Sequence, residues 1–109
     1  MKGSDLFESV TFDRPTFDAH GVQTGWSEGV YSSRAHFRYL RGSESVMAAR
    51  LDGKQPVVAT IRRSAVAETI NSEWVMRDVR RGTTYNIRTV VPSDDRRFLE
   101  ITAESGVAT

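Results

Sequence analysis

Glu73-Trp74-Val75-Met76, a turn at Arg80-Arg81-Gly82-Thr83, then Tyr85-Asn86-Ile87-Arg88-Thr89-Val90-Val91, a second turn at Pro92-Ser93-Asp94-Asp95, and finally Phe98-Leu99-Glu100-Ile101-Thr102: this stretch decides the fold class. Tyr85, Ile87, Thr89 and Val91 fall on one face of an extended chain, with Asn86 and Arg88 on the other. Leu99, Ile101 and Ala103 alternate with Glu100, Thr102 and Glu104 in the same way. Period-two alternation over runs this short, bounded by Gly and by Pro-Ser-Asp-Asp, predicts half-buried antiparallel strands. A sheet with one apolar face needs a lid, or closure into a barrel, to cover it.

Working outward, Val10 and Phe12 alternate with Thr11 and Asp13, a first strand that Pro15 is expected to end. Asp18-Ala19-His20-Gly21-Val22 has the chemistry of a reversal. Ala35, Phe37 and Tyr39 alternate with Arg34, His36 and Arg38, a long second strand with an irregularity expected near Ser32-Ser33. Segment 41–56 differs in kind: Gly near both ends, Ser43 as a candidate N-cap, and a helix-compatible run from Val46 to Leu51. It is either one short helix over a barrel mouth or a functional loop, since connections this long are uncommon. Val57, Ala59 and Ile61 alternate with Val58, Thr60 and Arg62, a third strand, while 64–70 reads as a short helical turn or a loop. The expected fold is all-β (mainly β). It is a small antiparallel β-barrel or sandwich of about six strands, in one domain over 1–109, with one long loop or short helix between strands.

A chain of 109 residues buries roughly 65% of its unfolded surface. Its 39% hydrophobic content and mean hydropathy of −0.42 describe an ordinary globular chain with no helical membrane span. The first residues are followed by no apolar run, so no secretory signal is expected. The absence of Cys excludes disulfides and thiolate metal sites. A net charge of +1 argues against a protein that grips DNA by its phosphates. Lys occurs only at Lys2 and Lys54, and every other basic residue is Arg. That bias suits desolvated subunit interfaces, or else reflects GC-rich coding.

The chemistry of an active site is missing. Asp18-x-His20 reads as a solvated turn, and Asp94-Asp95, directly after Pro92-Ser93, as a hairpin turn with Asx hydrogen bonds. Neither a phosphate-cradling Gly loop nor a nucleophile elbow is present. No enzymatic activity, metal or cofactor is expected. Trp26, Tyr31, Phe37, Tyr39, Trp74 and Tyr85 offer an alternative, a stacking platform for single-stranded nucleic acid on a small barrel. Alternation places Phe37 and Tyr39 with Ala35, which reads as core.

Four pieces carry a family resemblance. They are Arg14-Pro15-Thr16 with Asp18-Ala19-x-Gly21 and Trp26; Arg34-Ala35-x-Phe37 running into Leu40-Arg41-Gly42-Ser43-Glu44; Ile61-Arg62-Arg63; and Gly82-x-x-Tyr85-Asn86-Ile87-Arg88-x-Val90 followed by Asp95-x-Arg97-x-Leu99-Glu100-Ile101. In order and spacing, over 7–104, they resemble the head-closure (head-tail adaptor, joining or stopper) proteins of tailed bacteriophages. The departures, at Arg80-Arg81-Gly82 and Thr69-Ile70-Asn71, sit in turns.

The resemblance implies a virion protein, in a phage or a gene transfer agent, that passes through the host cytoplasm during assembly. It implies a homo-oligomeric ring of about six or twelve copies. The ring would have a portal or adaptor ring on the head side, a tail terminator or tail tube on the tail side, and packaged double-stranded DNA held without sequence preference in its lumen. No membrane partner is implied. Another connector or tail-terminator ring subunit is the neighbouring possibility. Within this picture Arg41, Gly42, Glu44, Val46, Met47, Arg50, Leu51 and Lys54 would form a channel loop. Arg50 and Lys54 would face phosphates, and the apolar residues would face neighbouring copies. Arg34, Arg38, Arg62 and Arg88 would furnish the subunit interface.

Overall fold

The computed structural model describes residues 6–40, 47, 53–94 and 96–105. Among them six antiparallel strands occur: β1 (Glu8–Phe17), β2 (Gln23–Tyr39), β3 (Gln55–Arg62), β4 (Val75–Asp78), β5 (Thr83–Pro92) and β6 (Phe98–Ser105). They close into a barrel in the order β1-β2-β3-β6-β5-β4. Closure comes from β4, which pairs with β5 on one side and, from Val10↔Asp78 to Asp13↔Val75, with β1 on the other. The choice between barrel and sandwich is thus made by four residues lying far from β1 in sequence.

The core follows the alternation. Val57, Ala59 and Ile61 of β3 face inward with Leu99, Ile101 and Ala103 of β6 and Tyr85 and Ile87 of β5. Phe12 stacks on Tyr31 at 5.9 Å between ring centroids. Ala67 and Ile70, in and just after a 3-10 helix at Ala67–Thr69, join Trp74 in this core, which resolves the ambiguity of 64–70. β3 is buried on both faces. Val58 pairs with Arg38 and Thr102, and Thr60 with His36 and Glu100, so longer cross-strand neighbours cover these outward positions.

Several expectations need correction. Pro15 does not end β1; it is buried within the strand, opposite Trp26. Beyond Asp13 β1 has a ladder partner on one side alone, and a residue without an N–H is tolerated in such an edge. Thr89 and Val91 do not share the face of Tyr85 and Ile87. Ile87 pairs with Ala103 but Thr89 with Thr102, leaving Arg88 as an extra residue. This bulge reverses the alternation, so Val90 packs on the core while Thr89 and Val91 are exposed. β2 shifts register at Thr24, between Thr16↔Gly25 and Phe17↔Gln23, and has its larger irregularity at 28–30, a few residues before the expected Ser32-Ser33, where Phe12↔Tyr31 gives way to Arg14↔Ser27. Gly29 occupies it with φ 64°, a left-handed backbone that Gly adopts without penalty. Gln55 and Pro56, assigned to the loop, already belong to β3, and β4 starts at Val75, after Trp74.

Antiparallel closure sorts the connections into two ends. At one end, here the loop end, lie the β2–β3 connection, the β4–β5 turn, and the residues leading into β1 and out of β6. At the other, the arm end, lie the β1–β2 reversal, segment 63–74 and the β5–β6 turn.

Candidate functional site

The β2–β3 connection is clamped at its base. The Leu40 amide donates to the Pro56 carbonyl at 3.1 Å, and the Gln55 side-chain amide donates to the carbonyls of Leu40 (3.4 Å) and Pro56 (2.7 Å). The connection therefore leaves the barrel and returns to it at one point on the rim. Of the expected channel residues, Met47 is exposed and Lys54 half-buried. Arg41, Gly42, Glu44, Val46, Arg50 and Leu51 lie outside the described residues.

An ionic network built on two buried carboxylates and an exposed arginine stiffens the same rim. Asp78, fully buried, accepts from the amides of Arg80 (3.2 Å) and Arg81 (3.3 Å) and from Arg81 Nη1 (2.9 Å). Arg81 Nη1 also donates to Glu8 Oε2 at 3.0 Å, tying the β4–β5 turn to the start of β1. Gly82, at φ 72°, lets the turn close with its amide 2.7 Å from the Asp78 carbonyl. The bonds to Asp78 first, and then to Glu8, raise the Arg81 guanidinium above its ordinary value. Burial, followed by nearby Tyr39 and Asp78, pushes the Tyr85 hydroxyl up to about 12.

A second such pair lies along the β1–β4 seam. Arg77 donates through Nε and Nη2 to the two oxygens of Asp13, both at 2.9 Å, and the Gly29 amide donates to Asp13 Oδ1 at 2.9 Å. One buried carboxylate thereby fixes the β2 bulge to the closing strand. The bond to Asp13 raises Arg77 as well. Sequence reasoning missed both networks. Their partners stand 64 and 73 residues apart, and the alternation gives Asp13 only as an outward polar residue.

The four expected interface arginines are all exposed. Three lie on one stripe. Ala35 pairs with Ile61, so the next step of that register sets Arg34 opposite Arg62, and Arg38 follows on the same face of β2 about 13 Å further along. Arg34 and Arg38 make no ion pair among the described residues. The Arg62 guanidinium lies 6.0 Å from the centre of the Phe98 ring. Arg88 stands apart, on the β5 bulge, 3.3 Å from Glu104 Oε2.

The aromatic residues take up packing roles. Trp74 and Tyr85 are buried, and Tyr31, Phe37 and Tyr39 pack against the core. Among the described residues none of the six forms the exposed platform that single-strand binding requires. At the β1–β2 reversal, Asp18 Oδ1 accepts from the amides of His20 (2.8 Å) and Val22 (3.0 Å), which is the solvated turn expected there. In the β5–β6 turn the Ser93 Oγ accepts from the Phe98 amide at 3.3 Å; Asp95, one of the two residues expected to make Asx bonds there, lies outside the described residues.

A closed six-stranded barrel whose rim gathers a long clamped connection and an ionic lock accords with a family model described as phage head completion protein, which matches residues 1–106. The chain belongs to that family. As a head completion protein it is a virion component. Among solved structures the fold resembles the solution structure of protein SF1141 from Shigella flexneri 2a, at 21% identity and TM-score 0.66 over 100% of both chains. It also resembles a chain in the virion of a native gene transfer agent particle, at 16% identity and TM-score 0.65, covering 94% of this chain and 97% of that one. No curated protein matches it in sequence.

Proposed function

We propose that this head completion protein is the closure, or stopper, subunit of the head–tail connector. Copies form a ring below the portal and adaptor, seal the channel through which DNA leaves, and present the surface on which the tail docks. The observation that carries this reading is the loop end. There the 40–54 connection springs from a clamped base beside a rim locked by Asp78, Arg81 and Glu8. A rigid rim carrying a long connection is what a ring needs to narrow a lumen from many sides at once. In this arrangement Arg50 and Lys54 meet DNA phosphates, and Val46, Met47 and Leu51 meet neighbouring copies. The Arg34, Arg38 and Arg62 stripe supplies a side-to-side contact of the Arg-rich kind found in interfaces.

Deletion of 45–53 tests the reading. The variant subunit folds with an unchanged unfolding midpoint, while particles carrying it lose packaged DNA, measured as nuclease-accessible genome. Particles that retain their genome at wild-type level would overturn the gating role.

A further inference from the structure

Where β1 and β2 run on as a ribbon their outer edges have no ladder partner: β1 beyond Asp13, which carries Pro15 with no amide to donate, and β2 before Ala35, which pairs with β1 alone. Beside these edges, two features whose side chains suit a contact between subunits stand out at opposite ends. At the arm end β1 and β2 continue as a two-stranded ribbon past the ladder with β4. This arm runs about 13 Å over residues 14–17 to a tip where Phe17 is 51% and Val22 60% exposed. The tip is rigid for its size, because Asp18 Oδ1 holds two amides and the Asp18 amide donates to the Val22 carbonyl at 2.9 Å. The described bonds leave Asp18 Oδ2 free to face outward. Toward the loop end, Ser9, Val10, Ser32, Ser33, Arg34 and Val79 line an open hollow of about 430 Å³. Three serines leave the space, Val79 at 59% exposure offers an apolar wall, and Arg34 has no acid beside it among the described residues.

We infer that the arm tip of one copy seats in this hollow on the next copy, with Phe17 and Val22 against Val79 and the Asp18 carboxylate meeting Arg34. The occupant is a second copy of the chain because the charges complement, one unmatched acid on the tip and one unmatched arginine in the hollow, and because apolar surface is exposed on both. Joining opposite ends of the subunit makes the contact heterologous, the type that closes into a ring when the rotation permits. The inference rests on the ring assembly proposed above and names its contact.

The absence of native cysteine makes the test direct. Particles are assembled with Val22→Cys, with Val79→Cys and with the double variant, then oxidised mildly. The double variant gives a ladder of covalent oligomers and neither single variant does. Phe17→Ala, at an exposed site that leaves folding intact, weakens association roughly thirtyfold, as loss of an aromatic anchor does. A ring visible by electron microscopy in which the double variant stays uncross-linked overturns the inference and leaves the ring reading standing. Val22→Cys cross-linking alone as completely as the double variant also overturns it, in favour of a symmetric tip-to-tip contact. Particles without a ring of this chain remove both.

Discussion

Replacing Asp78 by Ala is the perturbation that probes the rim most sharply. The side chain is fully buried and accepts three hydrogen bonds, two from main-chain amides and one from a guanidinium. A bond to a charged partner is worth about 1.5–3 kcal/mol and a neutral one about 0.5–1.5 kcal/mol. The amides belong to exposed Arg80 and Arg81, so water takes over part of their bonding, and Arg81 keeps Glu8. The balance is a loss of about 2–4 kcal/mol, a large share of the roughly 5–15 kcal/mol that holds a domain folded. Urea unfolding followed by the fluorescence of buried Trp74 reads this as a lower midpoint at unchanged slope. Asp78→Asn, which keeps an acceptor oxygen without the charge, falls between the two. An Ala variant within about 0.5 kcal/mol of wild type would refute the claim that this carboxylate holds the β4–β5 turn and its Arg81 in place.

Two further outcomes follow from the same geometry. The Tyr85 hydroxyl is pushed up to about 12 by burial, while an unfolded tyrosine ionises near ~10. Between those values the folded chain keeps a proton the unfolded chain has released, so this contribution is complete below about 10 and falls away as the pH rises toward 12. Urea midpoints across that window decline for wild type and much less for Tyr85→Phe; equal declines would contradict the assignment. Gly29→Ala costs about 1–2 kcal/mol in the same assay, from its left-handed backbone alone, since the added methyl would meet nothing nearer than Thr11 Oγ1 at 3.8 Å; a neutral variant would show that the bulge relaxes freely.

What the sequence disclosed was whatever is periodic and local. The inward sets of β3 and β6, and Tyr85 and Ile87 of β5, are legible because each decision needs only the next few residues. The Arg88 bulge is not. One extra residue leaves the composition of the strand unchanged and moves Val90 inward only because Thr102 takes Thr89 as its partner. Pro15 misled for a related reason, since whether proline ends a strand depends on which edge is paired, a fact set by β4 some sixty residues later. In the two ionic networks it is the links to β1 that lie beyond local reading. Asp78 bonds within its own turn, but Asp13 and Glu8 look like surface polar residues until Arg77 and Arg81 are folded over them. For function, order and spacing of common residues pointed to the family, whereas the sequence marked neither the arm nor the hollow as a pair.

The central claim is that this barrel works as one member of a ring at the exit of a DNA-filled head. Electron cryo-microscopy of particles carrying the protein tests it most directly. The account predicts a ring of copies between portal and tail, each with its loop end turned to the channel and its arm on a neighbour. A single copy per particle, or a barrel lying away from the channel axis, would contradict it.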